Sequence, residues 1–150
     1  RRWRGAYQTL FQDGKVRKTY RALAPIRPGL ELPSTVRDHL TKRRGQWQSE
    51  VVPGATVNAE TLVELESQAG DLGIYRLTPS TGRTHQLRLH LYGLGIPIVN
   101  DPLYPTVEDI AVDDFSRPLQ LLAAELEFTD PFDSTARSFR SVRELPLPGD

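Results

Sequence analysis

Two arginines and two histidines fall within residues 83–90, and this stretch holds the side chains best suited to chemistry on a charged ligand. Guanidinium groups bind carboxylates and phosphates through paired hydrogen bonds. Arg83 falls in the first turn of the helix predicted here, where the helix dipole disfavours a cation. That placement suggests an anionic partner from elsewhere. The alternative that stays open is a half-buried helix whose arginines extend to solvent.

The element that must position these groups is a helix, which the spacing predicts over 81–94 with Ser80 or Thr81 as its N-cap. His85, Arg88 and Tyr92 form a polar stripe on one flank of this helix. Beside the stripe runs a buried seam of four residues, Thr84, Leu87, Leu91 and Leu94. A helix packed along this seam would hold an arginine side chain in a fixed position.

Other chemistries find little support in the residues. His85 and His90 lie five positions apart, about 140° around a helix, whereas a zinc-binding helix needs a spacing of four. We therefore expect no metal site, and we expect His85 to lie near a substrate or to be a hydrogen-bonded core histidine. Neither a Gly-x-Ser-x-Gly elbow nor a Walker loop occurs. The absence of cysteine excludes disulfides, cysteine-bound zinc and thiol catalysis.

A net charge of zero hides a gradient along the chain. Residues 1–50 carry a net charge of +8, residues 51–100 carry −1 and residues 101–150 carry −7. A basic third is typical of surfaces that meet nucleic acid phosphates. Within this third, the candidate nucleic-acid contacts are Lys18, Arg43 and Arg44. The alternative is that these residues only keep exposed faces solvated.

Alternation of apolar and polar residues predicts five strands, over 16–23, 59–66, 72–78, 120–128 and 138–142. In the fourth strand we expect Gln120, Leu122, Ala124, Leu126 and Phe128 to share one face. Shorter or irregular features complete the pattern: a helix that ends at Gly14, a mobile arm or edge strand over 37–47, a hairpin turn over 68–71 and a loop over 102–118. These elements predict an α+β domain.

The length of 150 residues suits one domain, and 38% hydrophobic with 25% charged residues is ordinary for a globular protein. No stretch approaches the ~20 apolar residues of a membrane span, so we expect no membrane partner. We expect a cytoplasmic protein. The chain has no methionine and opens with Arg1-Arg2, which suggests a piece of a longer product.

The segments 81–90 and 93–104 closely resemble the signature of the RluA-type pseudouridine synthases. They contain the runs Thr-Gly-Arg-Thr-His-Gln-Leu-Arg-Leu-His and Gly-Leu-Gly-Ile-Pro-Ile-Val-Asn-Asp-Pro-Leu-Tyr. Residues 10–23 are similar to the segment in which that family has its active-site tyrosine, and residues 119–131 are similar to its late strand. The resemblance covers nearly the whole chain, with looser matches after residue 24 and after Tyr104.

The resemblance implies an isomerase that converts uridine to pseudouridine in structured RNA, either rRNA or tRNA. It implies a mixed, mostly antiparallel sheet with flanking helices. The family breaks the N-glycosidic bond, rotates the base and rejoins it through carbon, with an aspartate nucleophile and no metal or organic cofactor. Tyr20 matches its tyrosine, which packs on the target base, and Arg88 matches the arginine that pairs with its catalytic aspartate. Arg83 is a secondary candidate that braces the site or contacts phosphate.

One motif of the family is missing from these 150 residues. The family has its nucleophile in a His-Arg-Leu-Asp motif followed by Thr-Ser-Gly, which we expect just upstream of Arg1. Residues 1–150 then form the C-terminal part of a catalytic domain, inactive alone and with an exposed strand edge. Asp101 is expected to be a turn or capping residue. Without its carboxylate partner, Arg88 is expected to face a cavity filled with solvent or an anion.

Two alternatives to an enzyme stay open. The same basic surface is compatible with a non-catalytic RNA-binding module or a degenerate paralogue, in which no chemistry follows binding. A protein–protein module that uses the acidic last third is a further alternative. The oligomeric state is not specified by the sequence.

Overall fold

The segments of alternating apolar and polar residues form antiparallel sheets in the computed structural model. The structure describes residues 2–147. The described residues form two helices and eight strands: α1 (Arg2–Gln12), β1 (Arg17–Pro25), β2 (Ser34–Asp38), β3 (Leu40–Thr41), β4 (Glu50–Val51), β5 (Ala59–Ala69), β6 (Leu72–Pro79), α2 (Gln86–Gly93), β7 (Leu121–Thr129) and β8 (Ala136–Arg140). The α+β class is confirmed. Every strand pairing among these residues is antiparallel, so the expected mixed character is not seen there.

The main sheet has six strands in the order β2-β5-β6-β1-β7-β8, and β3 pairs with β4 in a separate two-stranded sheet. β5 and β6 form the predicted hairpin, whose turn contains Gly70 at a φ of 59°. Such a positive φ suits glycine because it lacks a Cβ atom. β1 lies in the interior of the sheet, between β6 and β7, so both of its edges are hydrogen-bonded.

The core lies where one face of the sheet packs against α2 and the segment that follows it. Cross-strand partners share a face, so Ala22 on β1 lies beside Tyr75 on β6, and Val63 on β5 lies beside Leu77. α2 adds Leu87 and Leu91, and the following segment adds two isoleucines to the same buried cluster, Ile96 and Ile98. This packing holds α2 against one face of the sheet.

Both edges of the main sheet are occupied by short strands. β2 is one edge, which confirms the edge-strand alternative for residues 37–38, and the rest of the basic segment leads into the β3–β4 hairpin. β8 is the other edge, and all five of its residues are exposed. This exposed edge agrees with the strand edge that we expect from the sequence. Large apolar side chains are also exposed around this end, among them Phe132 and Phe139.

The face prediction for the fourth strand was wrong. Thr19 pairs with Glu125 and Tyr20 with Ala123, so the register skips Ala124. This irregularity, a bulge in β7, reverses the alternation of its side chains. Leu126 therefore shares a face with Ala123 and not with Leu122.

The predicted helix over 81–94 is shorter in the structure, where α2 begins at Gln86 and ends at Gly93. Neither Ser80 nor Thr81 is its N-cap, because the side chain of Thr81 bonds to β5 and to Gln86 instead. Arg83 accordingly lies in a loop and not in a first helical turn. Thr84 is exposed and does not belong to the seam. Neither helix in the described part of the chain has the length and apolar character to cross a membrane.

Packing of α2 on the sheet predicts the effect of a cavity mutation at Leu91, which is completely buried. The Leu91→Ala variant is expected to lower the free energy of unfolding by about 2–5 kcal/mol, because it removes buried methyl groups and leaves a cavity. Urea denaturation measures the change. Val142→Ala is the matched control, since Val142 is 98% exposed, and its expected change is within about 0.5 kcal/mol. Equal effects of the two variants would contradict the packing described.

Candidate active site

A cavity of about 360 Å³ opens between β1, the start of β7 and the segment 79–88. A volume of this size is in the range of small-ligand sites. Its floor is apolar and includes Leu87, Leu119 and Leu121. Five of the seven residues predicted for the site line it: Lys18, Tyr20, Arg83, His85 and Arg88. The structure thus brings together side chains that are up to 70 positions apart in the sequence.

β1 positions Tyr20 and Lys18. Tyr20 pairs with Leu77 on one side and Ala123 on the other, so its backbone is fixed by two neighbouring strands. Lys18 lies two residues earlier on the same face, with its Nζ atom 5.8 Å from the centre of the Phe11 ring. An aromatic ring and a cation therefore project from one rigid strand toward the cavity.

A buried polar network attaches the start of α2 to β5. Gln86 donates from Nε2 to the Glu60 carbonyl and to Thr61 Oγ1, at 2.9 Å each. Its Oε1 accepts from Thr81 Oγ1 at 2.7 Å and from the Arg83 backbone N–H at 3.1 Å. All hydrogen-bonding groups of the Gln86 amide are thus engaged, which holds the 80–85 loop at the mouth of the cavity.

His85 is the N-cap residue of α2 and has the left-handed conformation, with a φ of 55°. Residues other than glycine adopt this conformation at a cost, and such strain clusters at functional sites. The Nδ1 atom of His85 lies 3.1 Å from the hydroxyl of Tyr104. Burial, and then the Arg88 cation, lower the pKa of His85 below its ordinary value of 6.5. The imidazole is therefore neutral at neutral pH.

Arg88 forms an ion pair with Asp101, which contradicts the expectation of an unpaired guanidinium in a solvent- or anion-filled cavity. Its Nε donates to Oδ2 at 2.9 Å and its Nη2 donates to Oδ1. The side chain of Asp101 is 1% exposed and that of Arg88 is 14% exposed. A buried carboxylate needs a cation and hydrogen bonds, and Arg88 is the cation in reach. Arg88 still borders the same cavity as Tyr20.

The expectation that Asp101 is a turn residue is confirmed, although it did not include the ion pair. Oδ1 of Asp101 accepts hydrogen bonds from the backbone N–H groups of Leu103 and Tyr104, at 2.9 and 3.3 Å. This is the turn that a side-chain carboxylate forms with the backbone two residues on. The carboxylate therefore has both a local and a long-range role.

Tyr104 is a site residue that the sequence did not reveal. Its ring lies under the Arg88 guanidinium, and the Cζ atom of Arg88 is 5.6 Å from the centre of the Tyr104 ring. Its hydroxyl accepts from the Ser49 backbone N–H at 2.7 Å, and burial raises its pKa above the ordinary value of 10.0. The only indication in the sequence is its position in the Asp-Pro-Leu-Tyr run, which does not predict the contact with the Arg88 guanidinium.

The two remaining predicted residues, Arg43 and Arg44, do not line the cavity. They lie in the exposed loop of the β3–β4 hairpin, where Arg43 Nε is 3.9 Å from Glu50 Oε2. Their neighbour Lys42 lines an adjacent cavity together with Arg83. The basic side chains thus form two neighbouring groups, one at the site and one on the hairpin.

No group of three or more metal-binding side chains lies together among residues 2–147. His90 belongs instead to the core: its Nδ1 lies 2.9 Å from Thr61 Oγ1, and its Nε2 lies 3.4 Å from Asp38 Oδ2. Burial lowers the pKa of His90 below 6.5, although the Asp38 carboxylate opposes the shift.

Comparisons with known proteins point to one family. The sequence profile described as RNA pseudouridylate synthase matches residues 1–92. The dual-specificity RNA pseudouridine synthase RluA of Vibrio parahaemolyticus is 49% identical over 65 residues, 43% of this chain and 25% of that protein. An uncharacterized RNA pseudouridine synthase of Helicobacter pylori J99 is 33% identical over 138 residues, 81% of this chain and 45% of that protein.

A solved structure agrees with these sequence matches. Human RNA pseudouridylate synthase domain containing 1 superposes with a TM-score of 0.68 at 25% identity, over 91% of this chain and 58% of that one. The chain spans less than half of the length of the two curated relatives named above.

The burial of His90 predicts a pH dependence of stability. Its folded-state pKa lies below the unfolded value of 6.5, so the unfolded chain takes up a proton that the native state does not. The free energy of unfolding is therefore expected to fall as pH drops from 7.5 through 6.5 toward the lowered pKa. Urea denaturation at pH 7.5 and 5.5 measures the loss, which should be smaller in His90→Asn. A loss of the same size in both proteins would count against this explanation.

Proposed function

The chain belongs to the RluA-type RNA pseudouridylate synthase family, and on that premise we propose that its complete protein isomerises uridine to pseudouridine in structured RNA, either rRNA or tRNA. The single observation that supports a catalytic site is the joint presence of Tyr20 and Arg88 in one cavity. A target base must leave its stack to enter such a cavity, and an aromatic ring compensates part of that cost by packing on the base.

The proposed reaction is an isomerisation and needs no external reagent. The bond between ribose C1′ and uracil N1 breaks, the base rotates, and C1′ joins C5. C5 then loses its proton, and N1 gains one. An aspartate of the complete protein, from the motif that these 150 residues lack, is the proposed nucleophile. Its oxygen would bond to C1′ as N1 leaves, and that bond would break as C1′ joins C5. Arg88 would hold that carboxylate in place and ionised, because charge-assisted bonds to a guanidinium favour the charged form.

RNA binding is assigned in this proposal to the two basic groups. Lys18 and Arg83 border the cavity, and in this proposal they bind the phosphates next to the target nucleotide. The hairpin arginines, Arg43 and Arg44, would contact phosphates farther along the RNA. We also propose a cytoplasmic location and catalysis without a cofactor.

Activity tests the proposal directly. The protein expressed from its complete gene is expected to release tritium from RNA labelled at uridine C5, since C5 loses its hydrogen in the reaction. A polypeptide of these 150 residues alone is expected to remain at background, because it lacks the proposed nucleophile. Turnover by the 150 residues would show that the nucleophile lies within them. An inactive complete protein that still binds RNA would favour a non-catalytic RNA-binding module or a degenerate paralogue.

Salt dependence tests the RNA contacts. The Arg83→Ala variant and the Arg43→Ala/Arg44→Ala double variant are each expected to weaken RNA binding. The slope of log affinity against log salt should become shallower by about 0.7 for each phosphate that the variant no longer binds. Fluorescence anisotropy at several salt concentrations measures both effects. Arg137→Ala is the control, because Arg137 pairs with Asp133 at the distant β8 edge. An unchanged slope in both test variants would exclude these arginines from the interface.

A further inference from the structure

The Arg88 guanidinium is held along one edge only. Asp101 accepts from Nε and from Nη2, which leaves the two N–H groups of Nη1 and the second one of Nη2. No acceptor among residues 2–147 bonds to Nη1. Arg88 lines the cavity beside Tyr20, so a group that enters the cavity lies close to the guanidinium that carries these donors.

The groups that hold this edge are themselves fixed. The Asp101 carboxylate is tied to the backbone of the turn through the N–H groups of Leu103 and Tyr104. The ring of Tyr104 lies against the guanidinium, and its hydroxyl is tied to the Ser49 backbone. Arg88 therefore has little freedom to rotate, even though a free arginine side chain has much rotamer entropy.

We propose that Asp101 is a positioning residue for Arg88. It fixes the plane of the guanidinium so that the Nη1 edge is ready for a carboxylate or a substrate oxygen in the cavity. Arginine suits this task because its planar fork binds one carboxylate along the Nε–Nη2 edge and still offers a second edge. Asp101 is not the proposed nucleophile, because its side chain is 1% exposed and its oxygens already accept four hydrogen bonds. The catalytic part of this inference rests on the proposed function.

Charge balance indicates what this arrangement contributes. Asp101 already neutralises Arg88, so a second carboxylate at Nη1 gains less from net charge than it would beside an isolated cation. The main contribution of the arrangement is then orientation, because the two Nη1 donors of Arg88 are held at a fixed place. Loss of Asp101 should therefore slow the chemical step more than it weakens RNA binding.

Asp101→Asn in the complete protein separates the turn from the ion pair. Asparagine keeps an oxygen for the Leu103 and Tyr104 N–H groups but loses the charge and one acceptor. The expected result is a kcat about 100-fold lower with KM changed less than about threefold, since a misplaced group costs about this much in rate. Asp114→Asn is the matched control, because Asp114 makes the same kind of turn with Ser116 and does not line the cavity. Wild-type kcat in Asp101→Asn would overturn the proposal.

A second readout does not depend on activity or on the folding of the Asp101 variant. In the wild-type protein, the Arg88 Nε–H NMR signal, assigned by its loss in Arg88→Lys, is expected to exchange slowly with water and to show distinct Nη signals. Averaged Nη signals and fast exchange would overturn the proposal. A protein that is inactive on RNA but has this slow signal supports the positioning role and contradicts the proposed function, so the two failures are distinguishable.

Discussion

A carboxylate that is almost completely removed from water requires a cation, and this requirement organises the site. Burial of an unpaired Asp101 would be prohibitive, so the turn that contains it must meet Arg88 on α2. The turn then lies across the end of α2, brings Tyr104 under the guanidinium and leaves the apolar floor of the cavity at Leu87, Leu119 and Leu121. On the other side, Gln86 attaches the same helix to β5. α2 is thus fixed by polar contacts on two sides and by apolar packing between them.

Much of the fold could be predicted from the sequence, because its strands alternate over long stretches. The hairpin of β5 and β6 has buried residues at alternate positions in the first half of β5 and a glycine where the turn needs a positive φ. The start of α2 could not be predicted in the same way. Thr81 looks like an N-cap in sequence, but its hydroxyl bonds to a strand about 20 residues earlier, a contact that local patterns do not contain.

The candidate site divides in a similar manner. The family resemblance predicts Tyr20 and Arg88 as site residues, and the structure places both at one cavity. Periodicity alone does not decide whether the arginines of this helix meet an anion or extend to solvent. The ion pair between Arg88 and Asp101 could not be predicted. The Asp-Pro dipeptide already explains Asp101 as a turn residue, so nothing in the local sequence indicates a bond to a residue 13 positions earlier. Charge alone groups Arg43 and Arg44 with the site residues, whereas in the structure they lie on the separate β3–β4 hairpin.

The skipped residue in β7 decides on which side of the sheet a carboxylate lies. If β7 paired regularly beyond Ala123, Glu125 would stand opposite Lys18 and compete for the cations that border the cavity. The bulge turns Glu125 to the other face, where its Oε1 lies 4.0 Å from Arg21 Nη2 and 3.7 Å from Arg140 Nε. A homologous chain can therefore lack the residue at Ala124 and still keep every other β7 side chain on its present face of the sheet. A chain of the same length without the bulge would have all later β7 side chains on the opposite face.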